Sequence, residues 1–319
     1  MIFSKQKWET EREGLDYLKV STACSWNTVK SPLRNAWDLF LVPLIGEEMG
    51  ETLTEIYHQA EMPAADAKLL RLAQRANILL AFWYDYAELN VMIADSGFKR
   101  QESEDTRTPY KYQERQLRTG WKTKGFNALD DLLAFLEKNS DDYPEYKNSD
   151  NYTESRRYIV QNAAQVNEYY FINHSRLTYL RLQPHFKIIE ETILAPRMNG
   201  LYQLLKIELE KEAPEQKWLE LRNALRPVVV YYAVHRLLLE TGDLTDKGLF
   251  FASLKNDDSD AEERPVADER IVHQAKQAEA DAISYWKLAE KLMQKYFGIE
   301  PASAGFHRRD NKDKKSFWA

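Results

Sequence analysis

A chain of 319 residues, 44% hydrophobic and 29% charged, can hold one large domain or two ordinary ones, and its balance is that of a soluble globular protein. Its 44 Lys and Arg against 50 Asp and Glu give a net charge of −6, which speaks against a general nucleic-acid binder while leaving room for a local basic patch. A single cysteine, Cys24, excludes an intramolecular disulfide and fits a reducing compartment.

The opening MIFSKQKWETEREG lacks the apolar run of a secretory signal. The longest apolar runs, ANILLAFWY and PVVVYYAV, are too short to span a bilayer, so we expect no membrane contact. With 18 Tyr, 13 Phe and 8 Trp the chain is rich in large apolar faces, for cores or for interfaces.

The first strong pattern is Leu33, Trp37, Phe40, Leu41, Ile45, Met49, Leu53 and Tyr57, an amphipathic helical stripe. Pro43 interrupts it. A proline inside a helix removes a hydrogen bond and clashes with the preceding turn at a cost of about 3 kcal/mol, so we expect one helix to end or kink near Val42 and another to start, with Gly46 easing the bend.

The pattern then recurs. Shifted by 153 residues, Leu41 falls on Leu194, Pro43 on Pro196 and Gly46 on Asn199, the common non-glycine occupant of left-handed backbone. The stripe Phe186, Ile189, Ile193, Met198, Leu201 and Leu205 follows suit. LRLAQR at Leu70–Arg75 returns as LRNALR at Leu221–Arg226, and at the same shift of 151 residues Asp95 and Gly97 fall on Asp246 and Gly248. Apolar helices, Ile78–Tyr86 and Val229–Leu237, lie between these anchors. A series of matches in order, with one small length change between helices, indicates an internal duplication.

After each apolar helix comes a short extended piece around an Asp-x-Gly turn; in the first copy Val91 and Ile93 alternate as in a strand. Two further helices should close each unit. Thr108-Pro109 is a good helix start, and Leu129, Leu132, Leu133 and Leu136 mark the last helix of the first copy. Pro265, then Tyr285, Leu288, Ala289 and Leu292, do the same in the second. The polar stretch 137–155 reads as a linker. The expected fold is thus mainly α: a tandem duplication of a helical unit with a short β-hairpin in each half. The expected divisions are 1–148, 149–306 and a basic, aromatic tail at 307–319.

No catalytic, cofactor or metal signature emerges, and no enzyme activity is expected. Glu55 and His58 have the i, i+3 spacing of a carboxylate-bundle metal site, but Lys211 replaces the histidine in the second copy. His235 reads as a packed residue. Asp85 and Glu88 could form a carboxylate pair, and Asp85 could instead meet Arg236 of the other copy. The repeated pairs Arg71/Arg75 and Arg222/Arg226 read as salt bridges to the unit's own acids, with an anion or partner contact as the alternative. Lys111, Arg115, Arg118 and Lys122 form a basic stripe among Tyr110, Leu117 and Trp121; it is either a solvated face or a surface for nucleic acid or an acidic protein, such as the NDDSDAEE segment of another copy. The end of the chain, HRRDNKDKKSFWA, combines Arg308 and Arg309 with Phe317 and Trp318, as a docking segment would.

Through VPLIG, ADSGFKRQESEDTRTPYKYQ, FNALDDLLAFLE and NEYYFINHSRLTYLRLQPHFKIIEETILAP, the chain resembles an uncharacterised family of about three-hundred-residue proteins from Bacteroidetes phages and prophages. Each half is also distantly similar to the small helical head–tail connector proteins beneath phage portals, although those commonly carry one unit. The resemblance implies a non-enzymatic virion structural protein of connector or adaptor type, acting by ring assembly as a homo-oligomer. It also implies portal or tail components as partners, DNA nearby, and a place in the virion, or in the bacterial cytoplasm before assembly. An intracellular helical binding module is the alternative.

Overall fold

The structure, a computed structural model, describes residues 1–18, 24–89, 91–94, 97–100, 110–209, 211, 213–241 and 268–298. It is mainly helical and divides into two units, Met1–Glu154 and Ser155–Ala319. Each is built around a helix that carries a proline.

In the first unit, helix α1 (Trp26–Ala36) runs on through a π-helical turn, Trp37–Leu41, into α2 (Val42–Ile45). Near Val42, where an end or a kink and a restart were expected from Pro43, the helix distorts by widening and resumes as α2. The Val42 N–H reaches back five residues to the Trp37 carbonyl. That extra residue in the turn gives the Pro43 ring the room that an α-turn denies it. The chain turns at Gly46, with φ 90° and ψ 155°, a region open only to glycine. A Cβ there would also lie 3.0 Å from that of Ser149.

Helix α3 (Glu47–His58) follows, then the long α4 (Ala64–Tyr84) and the short α5 (Tyr86–Leu89). Strands β1 (Val91–Ala94) and β2 (Gly97–Arg100) pair antiparallel, Val91 opposite Arg100 and Ala94 opposite Gly97. The counterpart of these strands in the second half falls at 242–267, outside the described residues. One continuous helix, α6 (Lys111–Lys138), takes the place of the two that were expected, running through Gly120 and Gly125 without a break. Thr108 and Pro109 lie outside the described residues.

The stretch 137–155 is not a linker. It folds into α7 (Pro144–Lys147) and α8 (Asp150–Arg156), and the unit boundary lies at Glu154, beyond the expected 148. Tyr143 is buried and donates to Asp66 Oδ1 at 2.9 Å. Asn151 donates to the carbonyls of Pro43 and Leu44 at 2.5 and 3.2 Å, capping the end of the proline-bearing helix. A composition of Asn, Asp and Ser, which suggests a loop, here supplies the side-chain donors and acceptors that helix ends require.

The first core contains Leu33, Leu41, Ile45, Met49 and Leu53, all at 0% exposure, with the α4 residues Ala73, Ile78 and Leu80. The start of the chain packs on it through Ile2, Phe3 and Trp8. Gln74, buried on α4, ties that segment down: it donates to the Ile2 carbonyl at 2.8 Å and to Glu13 Oε1 at 2.7 Å, and accepts from the Tyr17 hydroxyl at 2.9 Å. Burial raises the Glu13 carboxyl's pKa, opposed by hydrogen bonds from Gln74 and Tyr57.

The second unit begins with α9 (Ala163–Asn167), capped by Asn162, whose side chain accepts from the Gln165 N–H. Helix α10 (Arg176–Ile189), capped by Ser175, continues through a π-helical turn, Glu190–Leu194, into α11 (Ala195–Arg197). Here the Ala195 N–H bonds the Glu190 carbonyl, 153 residues beyond its equivalent. Asn199 has φ 45°, the left-handed conformation expected at the position that matches Gly46. Helix α12 (Leu201–Leu209) leads to α13 (Gln216–Thr241), which packs along α14 (Asp268–Phe297).

Three of the matched core positions at which the two units differ change together. Trp37, Met49 and Leu53 in the first unit correspond to Glu190, Tyr202 and Lys206 in the second. Glu190 is 2% exposed and accepts from the Ile159 N–H at 2.7 Å, the Tyr202 hydroxyl at 2.6 Å and Lys206 Nζ at 2.8 Å. The carboxylate is buried because it occupies a core position, and it is tolerated because three donors surround it. The opposite case is Asn77, which is fully buried, with neither side-chain polar atom bonded; the second unit has Val228 at that position.

Two predictions follow the same physics. Asn77→Val removes an unsatisfied buried amide, and denaturant unfolding should show a gain of about 1–3 kcal/mol. Glu190→Ala leaves the half-buried Lys206 and the buried Tyr202 without their carboxylate and should cost about 3 kcal/mol, whereas the triple change Glu190→Trp, Tyr202→Met, Lys206→Leu should recover most of that loss. A triple variant no more stable than Glu190→Ala would show that the two cores are not interchangeable at these sites.

Candidate interaction surface

The expected basic stripe lies on the first half of α6, and its geometry follows from how closely α6 approaches α4. Gly125 makes that approach feasible: a Cβ there would come within 2.9 Å of the Leu80 side chain and 3.3 Å of its backbone nitrogen. The helices run antiparallel, with Trp83 against Phe126 (5.5 Å between ring centroids), Phe82 against Trp121 (5.7 Å) and Tyr86 against Trp121 (6.0 Å). Phe40, from the first π-turn, packs edge-on to Tyr84 and Phe126 at 5.4 and 6.1 Å and joins Trp83 at 5.9 Å.

Two of the stripe's cations ride on this cluster. The Arg118 guanidinium sits 5.2 Å over the Tyr86 ring, and Lys122 Nζ sits 5.4 Å over Trp83. Arg115 is exposed, as is Lys124 beside the stripe. A shallow open groove runs along this side of α6, lined by Arg115, Gln116, Thr119, Gly120, Thr123 and Lys124. The Lys111 side chain lies outside the described residues, as do Arg308, Arg309, Phe317 and Trp318 of the tail.

Tyr110, expected beside the stripe, has a partner that its spacing did not mark, Tyr112. Tyr110 and Tyr112 stack at 5.8 Å with an interplanar angle of 12°, and they are 70% and 59% exposed. Tyr110 is held by its backbone N–H donating to Gln113 Oε1 at 3.1 Å. Leu117, one turn further on, is also exposed. The signal that could have marked them is Tyr-x-Tyr directly before a charged, poorly amphipathic turn. In the second unit the corresponding face turns inward: Ala278 is buried and Ile271 packs on the core, whereas Gln274 stays exposed.

The remaining candidates separate. Glu55 and His58 are both exposed, and among the described residues no three His, Cys, Asp or Glu side chains come together as a metal site would require. Where the second copy has Lys211, it bonds Glu208 at 2.5 Å as an ion pair. His235 donates from Nδ1 to the Ala275 carbonyl at 2.8 Å, pinning α13 to α14. Asp85 is buried and accepts from Asn35 at 2.9 Å within its own unit; Arg236 binds Glu240 at 3.3 Å within the other. The Glu88 side chain lies outside the described residues. Among those residues, no helix is long and apolar enough to cross a membrane.

Duplicated helical units with matched π-turns define a class of tandem-repeat helical protein. Residues 41–156 and 193–296 match the family of unknown function DUF6712, and the chain belongs to that family. Both matched segments open at the proline-bearing turn, in keeping with the duplication. No curated protein and no solved structure shows significant similarity to the chain.

The double substitution Tyr110→Ser, Tyr112→Ser should leave unfolding free energy within about 0.5 kcal/mol, since both rings face solvent. A loss of several kcal/mol in chemical denaturation would show instead that the pair holds the fold together.

Proposed function

We propose that the protein is a non-enzymatic structural component of a phage or prophage virion, of head–tail connector or adaptor type, that works by self-assembly into a ring and by docking on other virion proteins. The observation that carries this reading is the first half of α6. Stacked Tyr110 and Tyr112, Leu117 and Arg115 stand exposed on a helix braced by an aromatic cluster. Tyr and Arg held rigidly at a surface are the residue types on which protein–protein contacts depend most. The phage context rests on the family resemblance of the sequence. Portal or tail components and further copies of the chain are the partners this reading names, and the virion is its setting.

The basic stripe gives a specific ground for the alternative, a helical module that binds an acidic protein or nucleic acid. The two readings separate in solution. Light scattering coupled to gel filtration, followed by electron microscopy of the purified chain, should show a closed ring of defined stoichiometry. The Tyr110→Ser, Tyr112→Ser variant should shift it towards smaller species. A chain that stays monomeric at all concentrations, and binds DNA with an affinity falling steeply as salt rises, would overturn the connector reading in favour of the module.

A further inference from the structure

The repeated arginine pairs are not explained by the described residues of the units that carry them. Arg71 and Arg75 on α4, and Arg222 and Arg226 on α13, sit one turn apart at matched places in the duplication. Salt bridges to local acids were the expectation. Among the described residues none of the four has a carboxylate within ion-pair distance. The single hydrogen bond in the set runs from Arg226 Nε to the Ile159 carbonyl at 3.4 Å.

The second pair is the more demanding. Arg222 is half-buried, and its Nε is buried without a partner. Burial, and then the charge of Arg226, hold its guanidinium below the usual arginine range, with no acid acting in the other direction. Arg226 is half-buried too, and Glu168 acts on it only at longer range. Two like charges at i, i+4 on a partly desolvated face are unfavourable in isolation. Yet the block retains both arginines in each copy. Its shared Leu70/Leu221 and Ala73/Ala224 point into or against the cores, which accounts for them, while Arg71 and Arg75 are exposed. Nothing among the described residues of either unit explains why the arginines are retained.

We propose that the Arg222–Arg226 pair receives the carboxylates of an acidic peptide segment, Asn256–Glu263, from a second copy of this chain. That segment, NDDSDAEE, has five carboxylates and no lysine or arginine. A guanidinium offers paired N–H donors that fit a carboxylate edge-on, and two of them one turn apart suit consecutive acidic side chains. Nucleic acid is the poorer match. Two arginines are few where backbone binding draws on many phosphate contacts. The identity of the donor as a second copy rests on the self-assembly reading above; the presence of a carboxylate receptor does not.

The test uses the full chain and a labelled synthetic peptide of residues 256–263, read by fluorescence anisotropy. The peptide should bind, and binding should weaken at least tenfold in R222Q/R226Q, with far-ultraviolet circular dichroism confirming the fold. A peptide with Asn and Gln in place of its acids should not bind. In light scattering, R222Q/R226Q and the acid-neutralised chain D257N/D258N/D260N/E262Q/E263Q should each assemble less than wild type, and mixing the two should restore association between them. Peptide binding that is absent, or unchanged in R222Q/R226Q, overturns the receptor. Preferential capture of an oligonucleotide at this pair overturns the choice of carboxylate. A wild type that assembles while both variants assemble equally well overturns this contact and leaves ring assembly standing. A wild type that never assembles overturns the second copy as donor.

Discussion

A buried stripe that recurs every four residues cannot stay on one face of a regular α-helix. With 3.6 residues per turn, each step of four drifts by about 40°. Leu33, Trp37, Leu41 and Ile45 are spaced in this way, and all are buried. Three such steps would carry the stripe about 120° round the helix. The π-turn at Trp37–Leu41 takes up one extra residue, about 100° of rotation, and so keeps the stripe on the core. The same turn makes room for Pro43. A proline that looks like damage and a spacing that looks too long are thus two sides of one constraint, and Gly46 then redirects the chain for Met49, Leu53 and Tyr57.

The second unit meets the same constraint with different chemistry. Leu182, Phe186, Glu190, Leu194, Met198 and Tyr202 again recur every four residues, again all buried, with the π-turn at the matched place. The register is kept so strictly that a glutamate stays buried where the first unit has a tryptophan. Its tolerance depends on Tyr202 and Lys206 of α12, at positions where the first unit has apolar residues. Backbone geometry is thus the conserved property of the repeat, and the side chains of each core adapt to it in concert.

Much of this fold was legible in the sequence, because apolar spacing, proline and the offset between copies report directly on which face is buried. The π-turns were not legible, since Pro43 signals the lost hydrogen bond and not the widening that accommodates it. The segment 137–155 misled for a related reason. Asn, Asp and Ser favour loops when nothing needs capping, but Asn151 bonds the free carbonyls of Pro43 and Leu44, which are distant in sequence. Of the candidate surface, the stripe's cations were readable from spacing alone. That Arg118 and Lys122 lie over aromatic rings, and that Tyr110 stacks on Tyr112, depends on tertiary packing that no short window contains.

The duplication supplies an internal control. Positions shared by both copies and buried in both, such as Leu70 and Leu221, are explained by packing. Positions that differ in concert, such as Trp37 with Leu53 against Glu190 with Lys206, are explained by compensation within a core. The α6 face differs in a third way: exposed and cationic in the first unit, whereas Ile271 and Ala278 of its counterpart turn inward in the second. The arginine pairs fit none of these cases, being shared by both copies without an ion pair to any of the described residues. Packing cannot hold such residues in place through the divergence of two units, but a recurring contact with an anionic neighbour can.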